Sequence, residues 1–264
     1  MDIIISGVCG HMGREVLALA QDGVRGAAAV GGVDPMYGGG DFPIPCVRSF
    51  EEAAEHPVYG PVFCGADCIV DFSRHDAVGP LLRFAEENGI AAVIATTGHT
   101  DEEKDLIRKA AEKIPVFFSA NMSLGVALLI ELAKRAAAAM PDAEIEIIEK
   151  HHDRKLDAPS GTALKIADAI RTVRPSAYPV TGRSGYRKRT ADEIGIHAVR
   201  MGNIVGEHEV IIGTQNQTIT LKHEAHSRAL FAEGALAAAA FLIGKPAGLY
   251  GMNDLVAGGK STRS

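Results

Sequence analysis

Two adjacent histidines and a lysine stand in the middle of the chain, at the end of an alternating run of apolar and acidic residues. The histidines are His151 and His152, and Lys155 follows shortly after them. Histidine exchanges protons near neutral pH, and lysine is a compact cation. Together these side chains suit the delivery of a proton to an anionic substrate.

The start of a predicted helix follows this group of residues. Ser160, Gly161 and Thr162 directly precede a helical pattern over residues 163–170. The first backbone N–H groups of a helix have no partner within it, and they attract anions. We therefore predict that the free N–H groups of these three residues form a cradle for a carboxylate.

Two other interpretations of this stretch remain open on the residues alone. The first is a charged surface loop followed by an ordinary serine or threonine N-cap. The second is a metal site built from His151, His152 and Asp157. The chain has neither the H-E-x-x-H pattern nor the paired-cysteine spacing of zinc sites, so we predict that it binds no metal.

A glycine-rich loop follows the first apolar run of the chain. Its glycines, Gly7, Gly10 and Gly13, have the spacing G-x-x-G-x-x-G, and a helical pattern comes next. A dinucleotide site needs glycines there because side chains would obstruct the tight turn and the approach of backbone N–H groups to a pyrophosphate. Taken alone, the three glycines are also compatible with a simple tight turn. The strand before them and the helix after them favour the dinucleotide site.

An acidic residue ends the second apolar run, about twenty residues after the glycines, where an acid accepts hydrogen bonds from the adenosine ribose. This residue is Asp34, and the other interpretation is a solvated turn residue before Pro35. An acid here repels the 2'-phosphate of NADPH, and a neighbouring arginine is the usual means of recruiting it. Because Pro35 stands in that place, we expect NADH to be used at least as well as NADPH.

The stretch over residues 146–163 resembles the signature of the dihydrodipicolinate reductase family, E-[IV]-x-E-x-H-x-x-x-K-x-D-x-P-S-G-T-A. The resemblance extends over essentially the whole chain. Further matching segments are the glycine loop, Ala95-Thr96-Thr97-Gly98, Ser119-Ala120-Asn121-Met122-Ser123, residues 201–208 and residues 248–250. The family reduces 4-hydroxy-tetrahydrodipicolinate, a cyclic dicarboxylate, to tetrahydrodipicolinate with NADH or NADPH in lysine and diaminopimelate biosynthesis.

The resemblance implies a role for each matching residue. His151 would be the general acid that protonates the substrate after hydride transfer, with Lys155 as a second proton donor. His152 would contact the substrate, and Gly161 with Thr162 would bind one of its carboxylates. The implied cofactor-binding residues are Gly7, Val8, Cys9, Gly10, His11, Met12, Asp34, Ala95, Thr96, Thr97, Ser119, Ala120, Asn121 and Met122.

Two residues depart from the family pattern, and two other functions remain as alternatives. Ala95 stands where the family often has glycine, and Pro35 stands where some members have the arginine that binds the 2'-phosphate. One alternative is an NAD(P)H-binding sensor without catalysis, because a fold does not fix function. The other is a reductase of a different anionic imine or aldehyde. The intact His151 and Lys155 argue against the sensor.

Predicted strands and helices alternate over the first part of the chain, as in βαβ units, and these elements must position the residues described above. Apolar runs with few polar residues are typical of a parallel sheet covered on both faces. The predicted strands are residues 3–5, 27–33, 68–72, 91–95 and 116–118, and the predicted helices are residues 14–21, 75–88 and 100–113. A capping box of Thr100 and Glu103 opens the last of these helices.

A different pattern begins at residue 123. A long amphipathic helix over residues 123–140 precedes alternating runs, which are typical of half-buried strands. These runs are residues 143–149, 195–200, 207–213 and 217–222, with a hairpin turn at residues 214–216 and a closing helix over residues 227–243. They indicate a small mixed or antiparallel sheet backed by helices.

Two polar features of this second part have open roles. Residues 178–192 have no apolar period and predict a long loop, whose basic part at residues 183–189 either closes over a dicarboxylate or is a solvated charge run. His223 and His226 are interpreted as structural histidines, with lining of the substrate cleft as the alternative.

We expect an α/β protein with two domains. Residues 1–122 and 232–264 would form a Rossmann-like dinucleotide-binding domain with a parallel sheet. Residues 123–231 would form an α+β domain with a mixed sheet for substrate binding and oligomerisation. The family resemblance implies a homotetramer assembled through that sheet.

The composition excludes several classes of protein. The formal net charge of −6 argues against nucleic acid as the main partner, because phosphate binding needs a broad basic face. No apolar stretch approaches the ~20 residues of a membrane span, and the N-terminus does not resemble a signal peptide. Cys9, Cys46, Cys64 and Cys68 lack the spacing of disulfide frameworks, which predicts reduced thiols. We therefore expect a cytoplasmic protein, and the family resemblance implies that its partner is a small dicarboxylate.

Overall fold

The computed structural model describes residues 1–258. The chain forms two compact units. The first unit comprises Met1–Ser123 and the segment that begins at Ala229, and the second comprises Leu124–Arg228. The predicted domain boundaries, at residues 122/123 and 231/232, differ from these by a few residues. Residues 259–264 of the predicted cofactor domain lie outside the described residues.

The helices and strands alternate along the first half of the chain. The strands are β1 (Asp2–Ser6), β2 (Ala28–Val33), β3 (Cys46–Val47), β4 (Cys68–Asp71), β5 (Ala91–Ile94), β6 (Pro115–Phe118), β7 (Glu144–His151), β8 (Tyr178–Thr181), β9 (Glu193–Arg200), β10 (Gly206–Gly213), β11 (Thr218–Ala225) and β12 (Gly248–Tyr250). The helices are α1 (His11–Gln21), α2 (Phe50–Glu55), α3 (Gly60–Cys64), α4 (Val78–Asn88), α5 (Asp101–Ala110), α6 (Leu124–Ala139), α7 (Gly161–Arg171), α8 (Ala229–Leu242) and α9 (Met252–Val256).

The first unit contains a parallel sheet with a hydrophobic core on each face. Its strand order is β12-β6-β5-β4-β1-β2-β3. In β1, Ile4 faces one core while Ile3 and Ile5 face the other, and all three are fully buried. Burial of one such side chain contributes about 1.5–3 kcal/mol. Because both faces are covered, these strands appear in the sequence as continuous apolar runs, and the predicted Rossmann-like architecture is confirmed.

Two further sequence signals of the first unit are confirmed. The N-cap Thr100 accepts a hydrogen bond from Glu103 N while the Glu103 carboxylate accepts one from Thr100 N, so α5 begins with the predicted capping box. The predicted closing helix is α8, which packs on this sheet. A Cβ on Gly234 would lie far inside contact distance of Met122 O, so only glycine permits this close approach.

The second unit contains a mixed sheet with helices on one face. Its strand order is β11-β10-β7-β9-β8, with β7 antiparallel to β10 and parallel to β9. Ile145 and Ile147 of β7 point toward α6 and α7 and are buried, whereas Ile148 lies on the opposite face. The predicted alternation and the hairpin of β10 and β11 are confirmed.

The prediction of an unstructured loop over residues 178–192 is wrong at its start. Tyr178–Thr181 forms the edge strand β8, which pairs in parallel with β9. Three of its four residues are exposed, so no apolar alternation marks the strand. Pro179 also argues against a strand in sequence, but a proline is tolerated on an edge.

Residues 35–67, for which no element was predicted, contain β3, α2 and α3. The sequence does contain a helix start signal for α2, namely Ser49 followed three residues later by Glu52. In the structure Ser49 is the N-cap and accepts a hydrogen bond from Glu52 N at 3.2 Å. Among the described helices, none combines the length and apolar character needed to span a membrane.

Candidate active site

The glycine loop between β1 and α1 is packed too closely for side chains. Gly7 has a φ of +81°, and a Cβ there would lie 2.6 Å from Phe72 O. A Cβ on Gly13 would lie 2.1 Å from Gly7 O. Gly10 is the N-cap of α1 and offers no side chain to cap the first N–H groups of the helix. These N–H groups are thus left for an external anion such as a pyrophosphate.

Asp34 joins the second strand to the glycine loop. Its Oδ2 accepts a hydrogen bond from Cys9 N at 2.9 Å, and its Oδ1 accepts one from Met36 N at 2.9 Å. The residue is only 6% exposed, so it is not the solvated turn residue of the alternative interpretation. Each carboxylate oxygen has a second lone pair, which leaves capacity to accept a ribose hydroxyl.

A cavity of about 280 Å³ lies at the carboxyl ends of β4 and β5. Its lining residues are Met12, Phe72, Ser73, Ala95, Thr96, Thr97, Ala120, Met122 and Phe231. Ligands of doubly wound sheets bind outside the carboxyl ends of the strands. Phe72, Ser73 and Phe231 were not predicted from the sequence. The position of Phe72 and Ser73 just after a strand was a usable signal, whereas Phe231 lies on a distant helix and gave none.

The other predicted cofactor residues of the first unit lie around this loop and cavity. Val8 is buried in the core, and His11 is exposed at the start of α1. Ser119 and Asn121 form a tight turn after β6, in which Asn121 N donates to Ser119 Oγ at 3.2 Å. Thr96 lines the cavity, and its hydroxyl also contributes a hydrogen bond to the buried Asp71, which counters the effect of burial on the pKa of that carboxyl.

The residues predicted for proton delivery lie in the second unit, at the end of β7. His151 is the last residue of this strand, and its side chain is 12% exposed. Its Nδ1 lies 2.6 Å from Glu149 Oε2. A Cβ on Gly206 of β10 would lie 3.1 Å from His151 Nε2, so this glycine leaves room for the imidazole.

Glu149 is a fully buried carboxylate with several donors. Arg200 donates to both of its oxygens, at 2.8 and 2.6 Å, and Ser160 N donates to Oε1 at 3.0 Å. Burial raises the pKa of Glu149, but the hydrogen bonds from Arg200 and His151 outweigh that effect and hold the pKa below its usual range. Glu149 is therefore an anion at neutral pH, and it can only accept the hydrogen bond from His151 Nδ1.

The sheet register explains why these residues meet. Arg200 of β9 is paired with His151 of β7, and His208 of β10 is paired with Glu149. Paired residues on neighbouring strands point to the same face. Glu149, Arg200 and His208 were not predicted as parts of the site, although Glu149 stands in the signature, because the pairing of strands is not visible in one sequence.

His208 is a second buried histidine beside the first. Its ring lies 5.2 Å from the His151 ring, and its Nε2 lies 3.0 Å from Ser160 Oγ. Burial, and to a lesser degree the neighbouring His151, lowers the pKa of His208 to about 4. His208 is therefore neutral at pH 7. Ser160 Oγ also accepts a hydrogen bond from Ala163 N at 3.2 Å, so His208 is linked to the N-cap of α7.

Lys155 and the start of α7 already hold a carboxylate. Lys155 Nζ lies 2.7 Å from Asp157 Oδ1. The Lys155 ammonium, and to a smaller degree the backbone N–H of Gly161, hold the pKa of Asp157 below its usual range. A Cβ on Gly161 would meet no atom within 4 Å, so the approach to this point is open.

The predicted cradle needs one correction. The N–H of Ser160 is not free, because it donates to Glu149 at 3.0 Å. Ser160 therefore offers no free N–H group to a ligand, contrary to the prediction. Ser160 instead connects the start of α7 to the buried carboxylate.

His152 and the possible metal ligands complete the predicted set. The buried His152 Nδ1 has no hydrogen-bond partner in the described part of the chain, and burial lowers the pKa of this residue. No group of three or more His, Cys, Asp and Glu side chains with metal-binding geometry occurs among the described residues.

The basic loop is partly anchored to its own unit. Arg187 Nη1 lies 2.5 Å from Glu193 Oε1, and Arg189 Nη1 lies 3.1 Å from Glu144 Oε2. Arg183 lines an open cavity of about 410 Å³ beside Pro159 and His197. Arg187 and Arg189 thus form ion pairs within their own unit. The other basic residues of this loop are Arg183 and Lys188.

Comparisons with known proteins agree over both units. Models described as the N-terminus and the C-terminus of dihydrodipicolinate reductase match residues 1–122 and 125–256. A 4-hydroxy-tetrahydrodipicolinate reductase of Caldanaerobacter subterraneus subsp. tengcongensis is 47% identical, over 96% of this chain and 97% of the relative. A 4-hydroxy-tetrahydrodipicolinate reductase of Clostridium novyi is 39% identical, over 96% of this chain and 97% of the relative. The dipicolinate-bound dihydrodipicolinate reductase of Paenisporosarcina sp. TG-14 superposes with a TM-score of 0.80 at 28% identity, over 96% of this chain and 98% of that structure.

Proposed function

Because the chain belongs to the dihydrodipicolinate reductase family, we propose that His151, Lys155 and the start of α7 bind and protonate its substrate. The chain is an NAD(P)H-dependent oxidoreductase that reduces 4-hydroxy-tetrahydrodipicolinate in lysine and diaminopimelate biosynthesis. The assignment of the individual residues goes beyond the family and rests on the geometry of this chain. We assign cofactor binding to the first unit and substrate binding to the second.

The carboxylate of Asp157 is the observation that carries the substrate assignment. It lies against Lys155 Nζ and is stabilised by the N–H of Gly161. A carboxylate of the substrate at the same point would receive the same cation and the same N–H groups. Asp157 is 59% exposed, and exposed ion pairs contribute only about 0–1 kcal/mol, so a substrate can replace it at little cost.

His151 is assigned as the proton donor because its two ring nitrogens have different surroundings. Nδ1 donates to Glu149 and keeps its proton. Nε2 faces the space beside Gly206 and is the atom that can exchange a proton with a ligand. His208, which is neutral, does not compete for that role. His152 is assigned to substrate contact, because its unpartnered Nδ1 can bind a polar group.

The residues of the first unit fit a dinucleotide. The glycine loop excludes side chains where a pyrophosphate would approach, and Thr96 lines the adjoining cavity. When bound, the reduced nicotinamide supplies the hydride. The full set that we assign to the cofactor is Gly7, Val8, Cys9, Gly10, His11, Met12, Asp34, Ala95, Thr96, Thr97, Ser119, Ala120, Asn121 and Met122.

We further propose that NADH is used at least as well as NADPH, and that the protein works in the cytoplasm as a homotetramer. The buried carboxylate of Asp34 followed by Pro35 supports the cofactor preference. The four cysteines are free thiols, which supports a reducing compartment. Ile148 and Ile211 are partly exposed on the sheet face opposite to α6 and α7, which supports assembly through that face.

The test is the oxidation of NADH and NADPH at matched concentrations, with substrate generated in the cuvette from pyruvate and aspartate semialdehyde by the synthase of the preceding reaction. We expect oxidation that depends on the synthase, at least as fast with NADH as with NADPH. Binding of NADH without any oxidation would contradict the reductase and favour the sensor. Faster oxidation of NADPH would contradict only the cofactor preference.

A further inference from the structure

The surroundings of Glu149 connect both halves of the proposed substrate site. Glu149 Oε2 accepts from His151 Nδ1 at 2.6 Å, and Glu149 Oε1 accepts from Ser160 N at 3.0 Å. One buried side chain thus holds the proton donor and the residue that caps α7. Arg200 donates to both oxygens and compensates the charge of Glu149.

We propose that Glu149 is the positioning residue of the site, which fixes the orientation and tautomer of His151 and at the same time anchors the carboxylate cradle through Ser160. This inference rests on the proposed function of His151 and the cradle. Glu149 itself is fully buried, so it acts through the residues that it holds and not on the substrate.

Glu149 determines which ring nitrogen of His151 can exchange a proton. Because an anionic carboxylate only accepts hydrogen bonds, the proton on Nδ1 is fixed and exchange is confined to Nε2. The same carboxylate stabilises the doubly protonated ring that must exist before the proton is delivered. An orienting carboxylate behind a catalytic histidine has this effect in other enzymes, where its amide replacement lowers kcat by about 10⁴.

Glu149 also holds the start of α7 in position through Ser160. Ser160 N is fixed by Glu149, and Ser160 Oγ is fixed between His208 Nε2 and Ala163 N. The position of the first turn of α7 therefore depends on the same carboxylate that orients His151. A change at Glu149 should weaken both proton delivery and substrate binding, whereas cofactor binding in the first unit should not change.

The charges around His151 determine the expected pH effects. The groups that face it are Glu149 on its own strand, Arg200 on β9, His208 on β10, and the adjacent His152, whose pKa is lowered by burial, while Lys155 and Asp157 form an ion pair on the loop before α7. His208 is neutral, and Lys155 and Asp157 compensate each other. The net electrostatic effect on His151 therefore depends mainly on the balance between the negative charge of Glu149 and the positive charge of Arg200.

The experiment compares the variants Glu149→Gln and Arg200→Gln with Glu146→Gln as the control. Glu146 lies on the same strand and also accepts from a histidine, His197 Nε2 at 2.8 Å, but on the opposite face. Glu149→Gln should lower kcat by at least tenfold, raise the KM for the substrate, leave the Kd for NADH unchanged, and move the alkaline limb of the kcat–pH profile to lower pH. Glu146→Gln should match the wild type in all four quantities.

Arg200→Gln should move the same alkaline limb to higher pH, because Glu149 then faces His151 without its compensating cation. Opposite shifts are a signature that loss of folded protein cannot produce, since unfolding lowers kcat at every pH without changing KM. Shifts in the same direction, or a pH profile of Glu149→Gln that equals the control, would overturn the proposal. If Glu149→Gln does not fold, the double variant Glu149→Gln/Arg200→Gln removes both charges and should still show the raised substrate KM.

A readout without turnover separates this inference from the proposed function. In ¹⁵N-histidine-labelled protein, His151 should give a downfield Nδ1–H proton signal, assigned by its loss in His151→Gln. The signal should disappear or move upfield in Glu149→Gln and persist in Glu146→Gln. A persistent signal in Glu149→Gln would contradict the positioning role even if the reductase activity is as proposed. An inactive wild type that shows the expected signals would instead contradict only the proposed function.

Discussion

At the scale of single residues, the proposed site holds two neighbouring histidines in different states. His151 is hydrogen-bonded to an anion, whereas burial keeps His208 neutral at pH 7. Two protonated rings 5.2 Å apart would repel each other in an environment with little water. The neutral His208 thus allows His151 to carry a proton, and its Nε2 shares a hydrogen bond with Ser160 Oγ.

Lys155→Ala should reduce turnover by at least about 10²-fold, the range of a lost acid or charge-stabilising group. The Kd for NADH should remain that of the wild type, because Lys155 belongs to the second unit. Stopped-flow NADH oxidation and NADH fluorescence titration measure the two quantities. Lys165→Ala is the matched control, since Lys165 is an exposed lysine on α7, and it should stay within about twofold of the wild type. An equal loss of NADH affinity in Lys155→Ala would refute the assignment.

At the scale of elements, the cofactor site depends on how closely α1 approaches β1. A Cβ on Gly13 would meet the backbone oxygen of Gly7, which cannot move without opening the loop. The loop is also tied to the second strand through Cys9 N and Asp34. The N-terminus of α1 is thus held in place both by its packing against Gly7 and by the hydrogen bond between Cys9 and Asp34. This fixes the direction of its free N–H groups.

Gly13→Ala should therefore weaken NADH binding by more than tenfold and destabilise the protein by about 1–3 kcal/mol, the usual cost of overpacking. Gly79→Ala is the control inside a helix of the same unit, where the nearest atoms to a new Cβ lie at 3.8 and 3.9 Å. It should leave NADH binding unchanged and stabilise the protein by up to ~1 kcal/mol, because alanine favours helices over glycine. Fluorescence titration and urea unfolding test both. Wild-type NADH affinity in Gly13→Ala would show that the loop tolerates a side chain.

At the scale of the whole molecule, buried His208 makes stability depend on pH. Its pKa is about 4 in the folded protein against an ordinary value of 6.5, so the unfolded chain binds a proton first as the pH falls. Above pH 6.5 the effect is absent, and between pH 6.5 and about 4 the folded state loses stability by up to about 1.4 kcal/mol per pH unit.

Urea unfolding of the wild type and of His208→Gln at pH 7 and pH 5 isolates this contribution. Because glutamine does not titrate, the wild type should lose about 2 kcal/mol more than the variant between these two pH values. His56→Gln is the control, since His56 is a partly exposed histidine of the first unit, outside the sheet face proposed for assembly, and it should follow the wild type. Equal losses in wild type and His208→Gln would mean that His208 is already protonated in the fold.

The proposed assembly is also a property of the whole molecule. Sedimentation equilibrium should give a mass four times that of the 27.8 kDa chain. Ile148→Lys should lower that mass, because the substitution places a charge on the sheet face that we expect to be covered. Ile243→Lys, at a partly exposed position of the first unit, is the control and should leave the mass unchanged. A monomeric wild type would refute the homotetramer.

Local features of the sequence were sufficient for much of this protein. The apolar runs of the parallel strands, the capping box of α5, the alternation in β7 and the order of glycine loop, strand and acid are all set by neighbouring residues. Backbone geometry and side-chain periodicity act over a few residues, so these signals survive in a single sequence. The signature around His151 and Lys155 likewise lies in one continuous stretch.

Only the tertiary structure determined which residues surround His151. Glu149, Arg200 and His208 come from three strands, and the register of the mixed sheet brings them together. Ser160 N is occupied because the chain between β7 and α7 returns to Glu149, although its position at a helix start predicted a free group. The edge strand β8 was missed because it gains its stability from β9 and not from its own residues. Hydrogen bonds between distant strands depend on the packing of the whole sheet, and no local pattern encodes them.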